Sequence, residues 1–306
     1  MQTLESLRKK KQSAEDLYTI VKTTKTLAAM NIRHYEKAVE SVSVYYRTVE
    51  MGLQVILQRG PIEILERLPA KDKGACILIF GSDQGLCGGF NDQIVAHALE
   101  DMYEHEITHE HRFVMCVGSR ARALLEEQGH PVVETFSVPG SLSAITEIGH
   151  RIVTTINEWE SKGNINKVIL FYNKLISSAS YKPQTRHLLP LDHTWFQTIT
   201  RKEWPSRTIP TFTMNRNNLF SALVHQYIFV SLYQAFLESM ASENASRLLS
   251  MQTAERNIEE RIEELQALYR HQHQNSITSE LLDIVSGFEA LQSSPDGANE
   301  QKHSHL

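Results

Sequence analysis

The placement of proline and glycine divides this chain into three regions. Eight of the nine prolines lie within residues 61–210, and the ninth is Pro295. Glycine follows the same pattern, because Gly52 is the only glycine before residue 60 and Gly287 is the only one between 210 and Pro295. An α-helix tolerates these residue types least, at about 3 kcal/mol for proline and about 1 kcal/mol for glycine relative to alanine. The sequence therefore predicts two long helices that flank a middle region rich in turns.

Both flanking regions repeat apolar or small residues at alternating steps of three and four, which is the pattern of a coiled-coil seam. The predicted seam of the first helix comprises Leu17, Val21, Thr24, Ala28, Asn31, Tyr35, Ala38, Val42, Tyr45, Val49, Gly52 and Ile56. The predicted seam of the second comprises Met251, Ala254, Ile258, Ile262, Leu265 and Tyr269. At 1.5 Å per residue the helices would reach about 80 and about 120 Å. We expect them to pair antiparallel, with the end of the longer helix left unpaired.

That predicted free end has a mixed surface. A polar stretch, 270–276, interrupts the apolar pattern, which resumes at Ile277 and continues to Leu291. An apolar helix face in water is an unsatisfied interface, so we expect a partner to surround it.

The middle region alternates strand and helix patterns. Continuous apolar runs at Cys76–Phe80, Phe113–Val117 and Val168–Tyr172 are typical of strands buried on both faces. Helical stretches separate these runs, which predicts a small, mostly parallel, Rossmann-like α/β sheet. Residues 192–210 give no periodic signal and are interpreted as irregular chain. The predicted parts are an N-terminal coiled-coil helix (1–60), a central α/β domain (61–210), a C-terminal coiled-coil helix (211–291) and a disordered tail (292–306).

Composition narrows the class of protein further. The net charge is −5, which argues against a general nucleic-acid binder, since such proteins carry a basic excess. No apolar run approaches 18 residues, and the first residues lack the apolar segment of a secretory signal, so we expect neither a membrane span nor secretion. Three widely spaced cysteines without a CxxC motif indicate reduced thiols of a cytosolic protein.

The segment Gly81–Asn91, directly after the first buried strand, reads GSDQGLCGGFN. It is similar to the signature of the rotary ATP synthase gamma subunit family. The matching positions, called the signature turn below, are Asp83, Gly85, Leu86, Cys87, Gly88, Phe90 and Asn91. Stretches within 20–33, 172–190 and 241–291 resemble other motifs of the same family, in the same order along the chain.

The resemblance implies a non-enzymatic subunit that binds no nucleotide, cofactor or metal. In this family the paired helices form a shaft inside a ring of alternating alpha and beta subunits. The α/β domain, with the epsilon subunit, sits on the membrane-embedded ring of c subunits. The family would therefore place this chain at the cytoplasmic face of the cell membrane as a peripheral protein.

The resemblance also implies contact residues, carried over position by position. Lys22, Lys25 and Arg33 match shaft positions that face the surrounding ring. Gln274, Thr278 and Glu280 match positions near the catalytic-subunit loop that catches the shaft. At His273 the family usually has arginine, so a permanent charge is replaced by a titrating one. This departure, with Thr23 and Thr24 and the added tail, suggests a divergent branch such as the alternate sodium-type bacterial synthases; proton or sodium coupling stays open.

Two other classes of protein compete with this interpretation. One is a coiled-coil adaptor that uses the α/β domain as a ligand module. The other is a zinc hydrolase, because His105, Glu106 and His109 form an HExxH sequence. The glycines Gly85, Gly88 and Gly89 suggest a phosphate loop, but no GK[ST] follows them. They are better explained by a tight turn from strand to helix beside packed backbone.

Overall fold

A computed structural model describes residues 3–58, 73–105, 107, 111–177, 180–191 and 193–292. The helices within these ranges are α1 (Leu4–Leu57), α2 (Phe90–Glu104), α3 (Ser119–Glu127), α4 (Leu142–Ser161), α5 (His193–Arg201) and α6 (Arg216–Gln292). The strands are β1 (Gly74–Phe80), β2 (Arg112–Val117), β3 (Glu134–Phe136), β4 (Ile165–Ser177) and β5 (Ser180–Leu189). The predicted tail lies outside the described residues except Gln292, which ends α6.

The strands form one sheet in the order β3-β2-β1-β4-β5. Neighbouring strands from β3 to β4 run parallel, and β5 pairs antiparallel with β4 at the edge. All seven residues of β1 are buried, which explains why its sequence is continuously apolar rather than alternating. The mostly parallel α/β sheet predicted from the sequence is confirmed.

The sheet is covered on both faces. Ile77 and Ile79 of β1 belong to one apolar cluster with residues of α2 and α3. Leu78 and Phe80, pointing the other way, belong to a second cluster with residues of α1, α4 and α6. Because successive strand residues alternate in direction, each strand contributes to both clusters.

Two compact units make up the described chain, and α1 and α6 contribute to both. One unit is Thr24–Gln252, which contains the sheet. In it Arg216 Nη2 donates to the carbonyl oxygen of Ile56 at 2.9 Å, and Asn31 Nδ2 donates to Asn244 Oδ1 at 3.3 Å. The start of α6 thus lies beside the end of α1, so the two helices pair antiparallel.

The other unit combines α1 up to Thr23 with α6 from Thr253 onward. Tyr18 donates its hydroxyl to Glu259 Oε1 at 2.8 Å, and Leu7 and Leu265 are both 3% exposed. Because α1 begins at Leu4, the last part of α6 has no helix of the described chain to pack on. The predicted unpaired end of the longer helix is present.

The predicted α1 seam consists of two sets of positions, each repeating every seven residues, and one of the two sets is wrong. In the set that contains Ala28 and Ile56, both of these residues are buried as expected. In the other set the predicted Asn31 is exposed, and the next residues along the chain, such as Ile32 and Leu53, are buried instead. This set is therefore shifted by one residue, because burying a large aliphatic side chain stabilises the pairing more than burying a polar or small one.

Helix α5 was not expected, so the interpretation of 192–210 as wholly irregular is wrong. Phe196 and Ile199 lie on its buried face. Trp195 donates its indole N–H to the Tyr227 hydroxyl at 3.1 Å, with ring centroids 4.8 Å apart. This packing on α6 fixes a helix that is too short to be stable alone.

Within the described residues, α6 is long and apolar enough to cross a membrane by length and composition alone. The same test accepts core helices of soluble proteins, and 44% of the relevant stretch is buried inside this protein. Burial of Tyr227, Phe236 and Leu237 against the sheet accounts for the apolar composition.

Candidate functional site

The signature turn links the end of β1 to the start of α2 through side-chain hydrogen bonds. Asn91 Oδ1 accepts from the backbone N–H of Ser82 at 2.9 Å, and Asn91 Nδ2 donates to Ser82 Oγ at 2.8 Å. The Cys87 thiol lies in the same cluster, 3.5 Å from Ser82 Oγ. The turn is thus held closed by buried groups that satisfy one another.

Asp83 ties this turn to two neighbouring segments. Its Oδ1 accepts from the N–H of Ser119, the first residue of α3, at 2.8 Å. Its Oδ2 accepts from the N–H of Val138 at 2.7 Å. A carboxylate at the start of a helix also interacts favourably with the helix dipole. Both carboxylate oxygens of Asp83 therefore stabilise the fold by accepting backbone hydrogen bonds.

The turn also contains two residues with left-handed backbone. Leu86 has φ 62° and Gly88 has φ 53°. A Cβ on Gly88 would lie 3.1 Å from Ser250 Oγ of α6. Glycine is favoured here by the left-handed backbone, and the approach of α6 leaves little room for a side chain. Leu86 is 67% exposed, and nothing in the fold of the described residues explains this apolar side chain in water.

Helix α6 is fastened to the turn by two side chains. Ser246 donates its hydroxyl to the carbonyl oxygen of Cys87. Arg247 Nη2 lies 3.4 Å from the carbonyl oxygens of both Gln84 and Gly85. The turn therefore directs three carbonyl oxygens at α6, whereas a phosphate-binding loop directs N–H groups at its ligand.

Arg247 is itself paired with Glu243, one helical turn earlier, at 2.7 Å. The two side chains are 10% and 9% exposed. Burial raises the pKa of Glu243 above its ordinary value, Arg247 opposes that shift, and the charge of Asp83 adds to it. The pair borders a polar cavity of about 250 Å³ that Asn31 also lines.

Sequence reasoning assigned no structural contact to Ser246 or Arg247. A signal was present, because Ala241, Ser242, Ala245 and Ser246 place small residues on one face at spacings of four. Such a face permits close approach, but the sequence does not show what approaches it.

The predicted shaft residues of α1 differ in environment. Lys22 Nζ lies 5.5 Å from the centroid of the Tyr18 ring, and Lys22 is exposed. Lys25 is half-buried and Arg33 is exposed. These positions leave charged groups at the surface of α1.

The predicted catch residues all lie on exposed surface near the end of α6. The His273 ring stacks on that of Tyr269 with centroids 6.1 Å apart, and Thr278 donates its hydroxyl to the carbonyl oxygen of Gln274 at 2.9 Å. Glu280 accepts from Ser276 at 3.3 Å. Each of these contacts is within α6, so on the part of the chain that the structure describes these side chains are available to a partner.

The apolar residues that follow are exposed as well. They are Ile277, Leu281, Leu282, Ile284, Val285 and Phe288, between 45% and 69% exposed. We call this set the apolar tip.

Of the HExxH sequence the structure describes His105 but not Glu106 or His109. His105 follows α2, and its Nδ1 lies 2.9 Å from the carbonyl oxygen of Asp101. Among the described residues no group of three or more His, Cys, Asp or Glu side chains is arranged to hold a metal ion.

The fold and the site define a protein of two long, antiparallel helices with a Rossmann-like sheet inserted between them in the sequence and bonded to α6 through a polar turn. Residues 3–291 match the model of the ATP synthase family, and the chain belongs to that family.

Curated relatives match over nearly the whole chain. The ATP synthase gamma chain of Salinibacter ruber is 26% identical over 309 residues, covering 96% of this chain and 100% of the relative. The ATP synthase gamma chain of Pelagibacter ubique is 28% identical over 300 residues, covering 95% and 100%.

Solved structures share the fold at lower identity. A chain of the Euglena gracilis mitochondrial ATP synthase (OSCP/F1/c-ring, rotational state 3) has a TM-score of 0.59 at 15% identity, covering 98% of this chain and 99% of that one. A chain of the Tetrahymena thermophila mitochondrial ATP synthase central stalk and c-ring has a TM-score of 0.54 at 20% identity, covering 77% and 99%.

Proposed function

We propose that this chain is the central rotor stalk of a rotary ATP synthase. It couples ion-driven rotation of a membrane ring to ATP synthesis or hydrolysis in a hexamer of alpha and beta subunits. It is a non-catalytic subunit, and the catalytic sites lie on the beta subunits. Full-length similarity to proteins named ATP synthase gamma chain supports this function over the adaptor and hydrolase alternatives.

The apolar tip is the observation that carries the proposal. Six large apolar side chains on the last part of α6 are about half exposed or more, which a free helix in water does not favour. An enclosing ring of subunits would bury them.

The contact residues follow from the same arrangement. Lys22, Lys25 and Arg33 of α1 would meet the alpha and beta subunits. Gln274, Thr278 and Glu280, with His273 beside them, would meet the catalytic-subunit loop. A shaft whose faces differ in charge and apolarity presents different contacts to each catalytic subunit, and such differential contact shifts conformational equilibria.

The remaining proposed partners bind the unit that contains the sheet. We propose that it binds the epsilon subunit and the c-subunit ring, since the similar Tetrahymena thermophila structure is of a central stalk with its c-ring and the Euglena gracilis structure also contains a c-ring. The chain then belongs to a membrane-bound complex through its partners. The finer proposal is a peripheral position at the cytoplasmic face of the cell membrane. We retain 1–60, 61–210, 211–291 and 292–306 as the proposed functional parts.

Co-expression with alpha and beta subunits of the same source tests this function. We expect a stable complex whose ATP hydrolysis depends on the chain.

The double variant Ile284→Asp and Phe288→Asp should lower the yield of complex about tenfold or more, because association would bury two charges. Removing residues 270–291 should likewise weaken assembly or rotation-coupled turnover while the α/β domain stays folded.

The control is Val133→Asp, which places one aspartate on an exposed valine beside β3. It should assemble like the unmodified chain. Equal assembly of the tip variant and the control would contradict the enclosure of α6, and failure of the unmodified chain to bind the headpiece would contradict the proposed function.

A further inference from the structure

Helix α6 contains a stretch that is buried on every side. All residues from Ala235 to Arg247 are buried, which is more than three helical turns without an exposed face. A helix at a protein surface normally exposes one face. We call Ala235–Arg247 the enclosed segment.

Half of the enclosed segment is polar. Its buried polar residues are Glu238, Ser239, Ser242, Glu243, Asn244, Ser246 and Arg247. A helix that served only as core would be apolar all round, since burying polar groups is costly unless they are hydrogen-bonded. These polar groups therefore need hydrogen-bond partners.

Those partners lie on two sides of the helix, because Ser242 and Ser246 share one face and Asn244 points from another. The Ser242 hydroxyl lies 2.9 Å from the carbonyl oxygen of Asn173 in β4 and 2.8 Å from that of Glu238 one turn earlier in α6, so it shares its hydrogen between the strand and its own helix. Ser246 donates to the carbonyl oxygen of Cys87 in the signature turn. On the α1 side, Asn244 accepts from Asn31.

The strand β5 adds a further contact. The Tyr181 hydroxyl lies 3.2 Å from Ser246 Oγ, and the Tyr181 ring meets the Phe90 ring edge-on with centroids 5.7 Å apart. Ser246 is thus held between the turn and the edge strand of the sheet.

Such contacts differ in mechanical effect from the apolar packing of the rest of α6. Apolar attraction is non-directional, and it resists rotation of a packed helix through the interlocking of side-chain shapes rather than through bonds to particular atoms. A hydrogen bond from a serine to one carbonyl oxygen is lost when the helix turns by a fraction of its circumference. Bonds on two sides of the helix therefore add resistance to both rotation and sliding.

We infer that the enclosed segment is the joint through which twisting force passes between α6 and the α/β sheet, with Ser242 and Ser246 as its positioning residues. This inference rests on the proposed function, because only a rotating subunit carries such a force. The serines touch no substrate and act by holding α6 at one angle to the sheet.

The test is single-molecule rotation of the chain assembled with alpha and beta subunits. A bead is attached to a cysteine at Val133→Cys, which is selective because the three native cysteines are buried. The double variant Ser242→Ala and Ser246→Ala should rotate normally with a small bead. With a large bead its torque should fall at least twofold below that of the unmodified chain.

Ser231→Ala is the control. Ser231 is a fully buried serine of α6 whose hydroxyl has no hydrogen-bond partner among the described residues, so this variant removes a buried hydroxyl without removing a bond between elements. It should keep full torque. Unchanged torque in the double variant would overturn the inference; if that variant fails to assemble, the single variants decide, and unchanged torque in both overturns it. Absence of rotation in the unmodified chain would instead contradict the proposed function.

Discussion

At the scale of single residues, Asp83 shows how a family motif is explained by local bonding. Its two oxygens accept from the backbone N–H groups of Ser119 and Val138, and these groups belong to segments 36 and 55 residues away along the chain. The motif therefore joins three separate segments. The sequence indicates a turn at Asp83. It does not identify the backbone N–H groups that Asp83 binds, because every residue except proline has such a group.

Asp83→Asn should lower the free energy of unfolding by about 1–3 kcal/mol. Asparagine keeps one acceptor oxygen and turns an N–H donor towards the second backbone N–H, which loses its acceptor. Urea denaturation measures the change. Asp283→Asn, on exposed α6, makes the same chemical change and should cost less than about 0.5 kcal/mol. Equal stability of the two variants would contradict the bridging assigned to Asp83.

At the scale of elements, the parallel strands β1 and β2 end close together, and Gly118 makes this possible. It has φ 98°, and a Cβ there would lie 2.7 Å from backbone atoms of Ser82. Its N–H donates to the carbonyl oxygen of Phe136 at 2.8 Å, which joins the ends of β2 and β3. One residue thus allows the signature turn and the start of α3 to share the same edge of the sheet.

Gly118→Ala should destabilise the protein by about 2 kcal/mol or more, since the left-handed backbone is strained for alanine and the methyl group would overlap backbone. Gly140→Ala is the matched substitution, because nothing lies within 4 Å of a Cβ at that position. It should change the midpoint of thermal unfolding by little. A small effect of both substitutions would show that the strand ends can separate without cost.

Prediction of elements from sequence succeeded where a residue pattern alone decides. The runs Cys76–Phe80 and Val168–Tyr172 form buried strands because a strand that is apolar on both faces must be covered on both faces. Prediction failed where a contact decides. Helix α5 depends on Trp195 meeting Tyr227, and the α1 seam follows Ile32 and Leu53 because of what α6 presents to them.

At the scale of the whole chain, the length difference between the helices was predictable from proline and glycine alone. α6 has 77 residues and α1 has 54. The apolar tip follows from that difference. The enclosed segment was not predictable, because it requires the sheet, the turn and α1 to meet around the same thirteen residues of α6.

The most direct test of the account is whether this chain rotates within a headpiece that hydrolyses ATP. The unmodified chain, labelled at Val133→Cys and assembled with alpha and beta subunits of the same source, should turn a bead in one direction when ATP is added. Rotation should stop when ATP is withheld. A stable, ATP-hydrolysing complex in which the labelled chain stays stationary would contradict the account.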